Sequence, residues 1–456
     1  MKKVLSTVAA LGLVAGLAST AAAVEFKMSG KYLVEGVYLS DARGLGMDVT
    51  ETSAESTPSD AYWLHTFEMK PTMKVNDKVS MSAVIRLADD TFWGNQDDVS
   101  TTAGSTVGPT TGDVYVHHLY MDYASPIGKT RFGRVPTGTY GTNYMDSDTR
   151  GNRVMLWPSF LASGPLSTLF YIQKSTDNFA NTTGGTTAGV NETDADTDIY
   201  VARLYYKTDN LDSGVHYGYT NNMTNNTQST RTHQVIGYGK YKMDNLFLNA
   251  ELTYNFGEVE QDVETGALKS RDVDSLAGML QIGAKLDALT PSLTYFYAQG
   301  ADPNATAANG GDYESALNLS GTTGTTGDQF EPLYILTGRH TGMLNNDVFT
   351  TNPNTASMST AGVHAVVAAA DYAVSNQLSL HGAIGWAQAD ETQLAGQDDE
   401  YGWEYNVGAA YKLLDNLTYE AHFGYLDTGD FFNGANNSPD ITENVYLMTH
   451  SLTMTF

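Results

Sequence analysis

The chain of 456 residues carries 52 acidic against 25 basic side chains, a formal net charge of −27, with 44 glycines, 28 tyrosines, 12 prolines and no cysteine. Such an acidic excess argues against nucleic acid as a partner, because phosphate contacts are made by Lys and Arg. The lack of cysteine excludes disulfide scaffolding, thiolate metal sites and haem attachment through Cys-x-x-Cys-His, so no cofactor is expected and an electron-transfer role would need a partner that carries one.

Lys2 and Lys3, an apolar run from Val4 to Leu17 and the small residues Ala21, Ala22 and Ala23 spell a secretory signal peptide over 1–23, cleaved after Ala23. Its apolar run is short of the roughly 20 residues a spanning helix needs. Residues 24–456 read as one domain, with 23 basic against 52 acidic side chains once Lys2 and Lys3 are gone. No later segment approaches a spanning helix. A place in a membrane would therefore require a closed barrel of strands, which also satisfies every backbone group in lipid.

Beyond the leader one unit recurs: an alternating run, a short turn, a second alternating run, then a longer polar loop. Eighteen strands are predicted near 26–39, 61–75, 78–89, 113–124, 128–137, 151–162, 165–175, 197–208, 212–221, 231–243, 245–257, 273–287, 290–299, 361–373, 377–389, 401–413, 416–427 and 444–456. The short turns have a common chemistry, seen in Tyr206-Lys207-Thr208-Asp209-Asn210-Leu211, Tyr241-Lys242-Met243-Asp244-Asn245-Leu246 and Tyr411-Lys412-Leu413-Leu414-Asp415-Asn416-Leu417. Asn and Asp tolerate the left-handed backbone that tight hairpins demand.

Within the runs the two faces differ. Leu246, Leu248, Ala250, Leu252, Tyr254 and Phe256 share one parity, and Asn249, Glu251, Thr253 and Asn255 the other. In the last strand Tyr446, Met448, Leu452, Met454 and Phe456 form the apolar set, which His450 interrupts. Tyrosines cluster at run ends, as in Tyr32 and Tyr38, Tyr115 and Tyr123, Tyr200 and Tyr206, Tyr405 and Tyr411, and Tyr419 and Tyr425. Two such rings, one hydrocarbon thickness apart, form an interfacial girdle.

A chain that stops on Phe456 resembles the closing strand of Gram-negative outer-membrane β-barrels, where a terminal Phe is the signal read by the barrel-assembly machinery. Gly128-Lys129-Thr130-Arg131-Phe132-Gly133-Arg134 is similar to the G-K-x-R-x-G-R strand of many porins. The resemblance implies an all-β fold, a transmembrane antiparallel up-and-down β-barrel of about 18 strands with short periplasmic turns and long extracellular loops. It also implies outer-membrane lipid and lipopolysaccharide as surroundings, and a homotrimer.

A lumen enclosed by eighteen strands is too wide for side chains to fill, so loops must narrow it. The connection at about 137–150 sits where general porins fold a loop into the pore. There Asp146 and Asp148 would face Arg86, Arg131 and Arg203 on the wall, with Arg134 and Arg153 near the rim; the alternative is that both are solvated loop residues. Opposed charges across a constriction favour polar and charged solutes. Interior parity also collects Glu35, Glu68, Lys70, Asp122, Glu251, Glu404 and Lys412, a lining of mixed sign. With the acidic excess in the loops, a weak cation preference is expected.

The longest loop, about 300–361, holds Phe330-Glu331-Pro332-Leu333-Tyr334-Ile335 and Gly338-Arg339-His340-Thr341-Gly342-Met343. These are similar to pieces found before the late strands of alginate-export-type eighteen-stranded channels. Those conduits line their lumen with arginine and this chain has ten arginines in all, so the architecture carries over and the substrate does not. The apolar-aromatic centre, with Phe330, Tyr334, Arg339 and His340, is expected to plug or lid the mouth.

Asp194-x-Asp196-x-Asp198 mimics the start of a calcium loop but lacks its Gly and distal Glu, so no metal is expected. His216, His381 and His422 share the inner parity without a nucleophile at a telling spacing, and no enzyme is expected. The reading is a passive diffusion channel for small hydrophilic solutes. The alternatives are a barrel that sheathes a periplasmic or multihaem electron-transfer partner, and a channel specific for a polysaccharide or organic acid.

Overall fold

The structure, a computed structural model, describes residues 24–40, 59–93, 115–136, 140–142, 144, 150–177, 196–225, 228–261, 270–304, 312, 330–341, 343–344, 358–392, 394–433 and 444–456. The leader at 1–23 and both Asp146 and Asp148 lie outside these residues. The strands are β1 Glu25–Leu39, β2 Asp60–Lys74, β3 Val79–Phe92, β4 Tyr115–Ser125, β5 Gly128–Pro136, β6 Arg150–Pro158, β7 Leu166–Thr176, β8 Thr197–Lys207, β9 Leu211–Asn225, β10 Gln228–Met243, β11 Leu246–Gln261, β12 Arg271–Ala284, β13 Leu289–Ala298, β14 Val363–Ala373, β15 Leu378–Gln388, β16 Glu400–Leu414, β17 Leu417–Thr428 and β18 Val445–Thr455.

Each strand pairs antiparallel with its neighbours in sequence, and the sheet closes where β18 meets β1, from Lys31↔Thr455 to Leu39↔Leu447. No edge is left, which is what a sheet in lipid requires. No helix among the described residues is long and apolar enough to cross a membrane. In the turns, Asp244 and Asp287 take φ of 51°, the left-handed conformation read from the Asp-containing hairpins.

Outward parity is apolar around the ring. Leu204, Val215, Leu252, Leu280, Val407 and Met448 are all exposed although they belong to continuous ladders. Outward-facing ionised side chains such as Arg231, Glu258, Asp272 and Asp427 sit near the strand ends that lead into the long loops. A Lys or Arg at mid-height on this face would cost roughly 2–4 kcal/mol. The Tyr pairs expected as girdles point outward, with one exception.

Tyr115 turns into the lumen, where its hydroxyl donates to Asp89. The register slips between Val84 and Ile85, opposite His117, so β4 carries one extra residue and its parity inverts. Val116 and Leu119 are consequently both outward, each 45% exposed. A one-residue bulge reassigns every side chain beyond it.

A second difference concerns the loops. β9 ends at Asn225 and β10 begins at Gln228, so this connection at the long-loop end is short. The ladder runs on past the predicted ends at 221 and 231 through Asn, Thr and Gln residues. Above the membrane both faces of a strand are wet, and alternation no longer marks it. His450 keeps its outward parity by lying over Gly36, where a Cβ would come within 2.5 Å of its Nε2, with its ring edge against Trp63 at 4.7 Å.

Candidate pore constriction

Two loops enter the lumen and are held there by named groups. In the connection between β5 and β6, Tyr140, Thr142 and Tyr144 reach β8, β11 and β13. Tyr140 donates its hydroxyl to the carbonyl of Leu204 at 3.1 Å, and its ring is enclosed by Tyr205, His216 and Tyr238 at 5.0–5.4 Å. The Arg203 guanidinium lies 4.8 Å from that ring. One step on, the Thr142 backbone N–H and hydroxyl both donate to Glu251 Oε2, at 2.6 and 2.8 Å. Gly141 makes this approach possible: its φ is +80°, and a Cβ would stand 2.4 Å from the same carboxylate oxygen.

Tyr144 donates to the carbonyl of Tyr297 at 2.6 Å. Burial raises the pKa of its phenol well above the ordinary value, so it remains a neutral donor. Its ring meets Phe330 at 5.0 Å, and Phe330 meets Phe296 at 5.3 Å. Phe330 belongs to the loop between β13 and β14, so the two loops touch inside the barrel.

That second loop lies against the inner wall. Leu333, Ile335, Leu336, Met343 and Leu344 are wholly buried in one cluster with inward residues that include Met279, Val367, Ala387 and Leu447. Burying each such side chain is worth about 1.5–3 kcal/mol relative to exposure. Polar ties fix the register. Glu404, fully buried, accepts the backbone N–H groups of Ile335 and Leu336, each at 2.8 Å. Glu35 accepts from Arg339 at 2.6 Å and lies 3.1 Å from His340 Nε2. Tyr334 reaches His422 Nδ1 at 2.9 Å, and Thr337 closes a turn with Leu333.

The remaining wall carries the arginines read from the sequence. Arg86 bridges Glu68 at 3.0 Å and Asp89 at 2.6 Å. Arg131 grips Asp122 through two bonds of 2.6 and 2.8 Å and stacks 4.0 Å over Tyr120. Arg203 donates to His216 Nδ1 at 3.0 Å, which leaves that imidazole neutral because a guanidinium cannot accept. Arg153 donates to Gln173 at 2.6 Å beside Tyr171.

Arg134 is elsewhere. It is exposed, shares parity with the outward Phe132, and pairs in register with the outward Leu119, so it does not face the pore. Reading it as a rim residue opposite the loop is corrected by that parity. Of the Asp194-x-Asp196-x-Asp198 run, Asp196 and Asp198 both pair with Lys174, and Asp194 lies outside the described residues. No group of three or more His, Asp or Glu suited to a metal ion occurs among the described residues.

The sequence reading missed Tyr140, Thr142 and Tyr144, the anchors of the first loop. Two tyrosines four residues apart in an otherwise small and polar loop were the available signal.

No protein-family model matches the chain, and no curated protein matches it. Among solved structures it is similar to OccAB4 of Acinetobacter baumannii, at 12% identity over 94% of this chain and 98% of that one, with a TM-score of 0.52. OccK8 (OprE) of Pseudomonas aeruginosa matches at 12% identity over 95% and 98%, with a TM-score of 0.51. The outer membrane protein opdK of the same organism matches at 9% identity over 94% and 99%, with a TM-score of 0.50. At such identities the likeness is one of fold: the chain is an eighteen-stranded antiparallel barrel similar in architecture to these proteins.

Proposed function

We propose that the protein is a passive diffusion channel of the outer membrane, open to small hydrophilic solutes and favouring anions. One observation carries the sign. Glu35, Glu68, Glu251 and Glu404 are each no more than 5% exposed, their oxygens engaged by loop backbone, Arg, Lys or His. Lys70, Lys74, Lys129 and Arg339, by contrast, keep 45–51% of their side chains in water. Passing ions therefore meet solvated cationic heads, with Glu25, Asp77 and Asp371 among the carboxylates left in water.

This reverses the weak cation preference expected from the total charge, which counts carboxylates in the long loops rather than in the path. Asp146 and Asp148 remain candidates for the acidic side of the constriction. A surrounding of outer-membrane lipid and lipopolysaccharide fits the apolar belt, recognition of Phe456 by the barrel-assembly machinery fits the closing strand, and a homotrimer is the proposed assembly. The sheath for a multihaem partner loses support, since two docked loops occupy the lumen such a partner would fill.

A reversal potential measured in a potassium chloride gradient across a planar bilayer tests the reading. Chloride preference is expected. A potassium preference overturns the sign, and absence of conductance overturns the channel itself.

A further inference from the structure

Lysine and arginine occupy different heights in this barrel. Every described lysine except Lys174 lies in the half that ends in the short turns. Where one strand carries both inward, arginine is the upper: Arg131 stands two residues above Lys129 on β5, and Arg203 four above Lys207 on β8. Lys27, Lys74, Lys129 and Lys207 share inward parity with Glu35, Glu68, Arg131 and Arg203 of their own strands. Lys242 and Lys412 do so with Tyr238 and Glu404. The short-turn mouth is thus ringed by ammonium groups, interspersed with the turn carboxylates Asp77, Asp209, Asp244, Asp287 and Asp415.

On one side of that mouth lies a half-open cavity with charged side chains in its lining. Its volume is about 400 Å³, and Lys27, Lys74, Lys78 and Lys129 line it with Asn76 and Ser80. Asn76 accepts the backbone N–H groups of Lys78 and Val79 at 2.8 and 2.9 Å, which fixes the turn that carries Lys78. Glu25, Asp77 and Asp122 also line the cavity, paired with Lys27, Lys74 and Lys129 at 2.9, 2.8 and 3.1 Å. The side chains of Lys27, Lys74 and Lys129 are 76, 48 and 48% exposed. The exposed Lys27–Glu25 and Lys74–Asp77 pairs are weak because water screens them, and Asp122, 19% exposed, is held by Arg131 as well, so a multivalent anion can compete for all three ammonium groups. Each ammonium has three donors and a flexible stem, which suits a compact polyanion of no fixed geometry better than a planar fork would.

We propose that this mouth is a binding vestibule for small multivalent anions, polycarboxylate or phosphate, placed on the short-turn side of the constriction. The inference rests on the channel reading and adds a sided site to it. Its consequence is asymmetry: a multivalent anion lodges at one mouth and obstructs current from that face.

Citrate and inorganic phosphate, added to each chamber in turn, test it on the mature chain in a planar bilayer, with insertion direction read from streptavidin binding to a biotin at Val24. Half-block by citrate from the short-turn side is expected at a concentration at least tenfold lower than from the long-loop side. Phosphate acting at the lower concentration instead of citrate assigns the site to phosphate. The combined variant Lys27→Gln, Lys74→Gln, Lys78→Gln, Lys129→Gln should lose the sidedness, and Lys→Arg at the same positions should keep it. Equal block from both faces, or sided block that survives in a Gln variant whose gel mobility shows a folded barrel, overturns the vestibule and leaves the channel standing. If nothing conducts, calorimetric titration of citrate and phosphate into the detergent-solubilised barrel decides alone: binding lost in the Gln variant supports the site, and no binding to the unaltered barrel overturns it.

Discussion

From β12 through β18 and on to β1, the inner wall towards the long-loop end is mainly apolar, with Glu35, Glu404 and His422 as polar ties, and residues 330–341, 343 and 344 lie on it with Leu333, Ile335 and Leu336 fully buried. From β3 through β8 the inner wall instead carries Arg86, Arg131, Arg153 and Arg203 on successive hairpins, seated on tyrosines and paired carboxylates. One side of the lumen holds the second loop on an apolar seat, and on the other Tyr140 of the first loop packs over Arg203 and His216. Apolar burial is non-directional and strong enough to fix a long segment, whereas Arg153 and Arg203, each 5% exposed, are held by Gln173, His216 and the faces of tyrosines. Separating the two gives a single barrel an apolar seat for one loop and a wall of paired arginines opposite it.

The sharpest way to break this division is to remove the cover. Replacing 330–344 with a short Gly-Ser linker should raise single-channel conductance severalfold and lower thermal stability in detergent, because Val367, Ala387 and Leu447 would face water. Conductance equal to that of the unaltered chain would put the loop outside the ion path.

A smaller lesion at the same place is Leu333→Ala. Large-to-small changes in a packed site cost about 2–5 kcal/mol, and here the cost should fall on docking of the loop rather than on the barrel. Protease sensitivity of the loop should rise while the barrel stays heat-modifiable on gels. Loss of the barrel itself would show that the cluster is part of the fold's own core.

Glu404→Gln keeps the shape but leaves one oxygen for the two backbone N–H groups, since Ile335 and Leu336 each donate to a different carboxylate oxygen and an amide NH2 cannot accept. A buried N–H left without its acceptor costs about 1–3 kcal/mol, enough to make brief high-conductance openings several times more frequent. Traces as quiet as those of the unaltered channel would mean that apolar contacts alone hold the loop.

On the charged wall the expected effects are smaller and of opposite sign. Arg203→Gln should move the reversal potential towards cation selectivity by a few millivolts, and Asp146→Asn with Asp148→Asn should move it the other way by less. If neither pair of measurements moves, these residues are not at the narrowest point.

Much of this architecture could be read along the chain. The strand count, the turn residues and the closing strand to Phe456 follow from period-two alternation punctuated by Asp and Asn, and these are local properties. The lumen positions of Arg86, Arg131 and Arg203 also follow from parity within one strand. Tyr115 does not, because a bulge opposite Val84 and Ile85 changes the count between it and the residues used to set the parity. The loop anchors escape for a different reason: Tyr144 and Tyr297, or Glu404 and Ile335, are joined across more than sixty residues by contacts that no local pattern encodes.

The sequence by itself determined a ring of eighteen strands with a greasy exterior and a wet interior, because side-chain alternation and hairpin chemistry act between residues close along the chain. Only the tertiary structure decided which interior charges meet water. Glu251 and Glu404 have the same inward parity as Lys129 and Lys74, yet the carboxylates are covered by loops folded in from distant strands while the ammonium groups stay at the open mouth. Burial is set by what arrives from elsewhere in the chain.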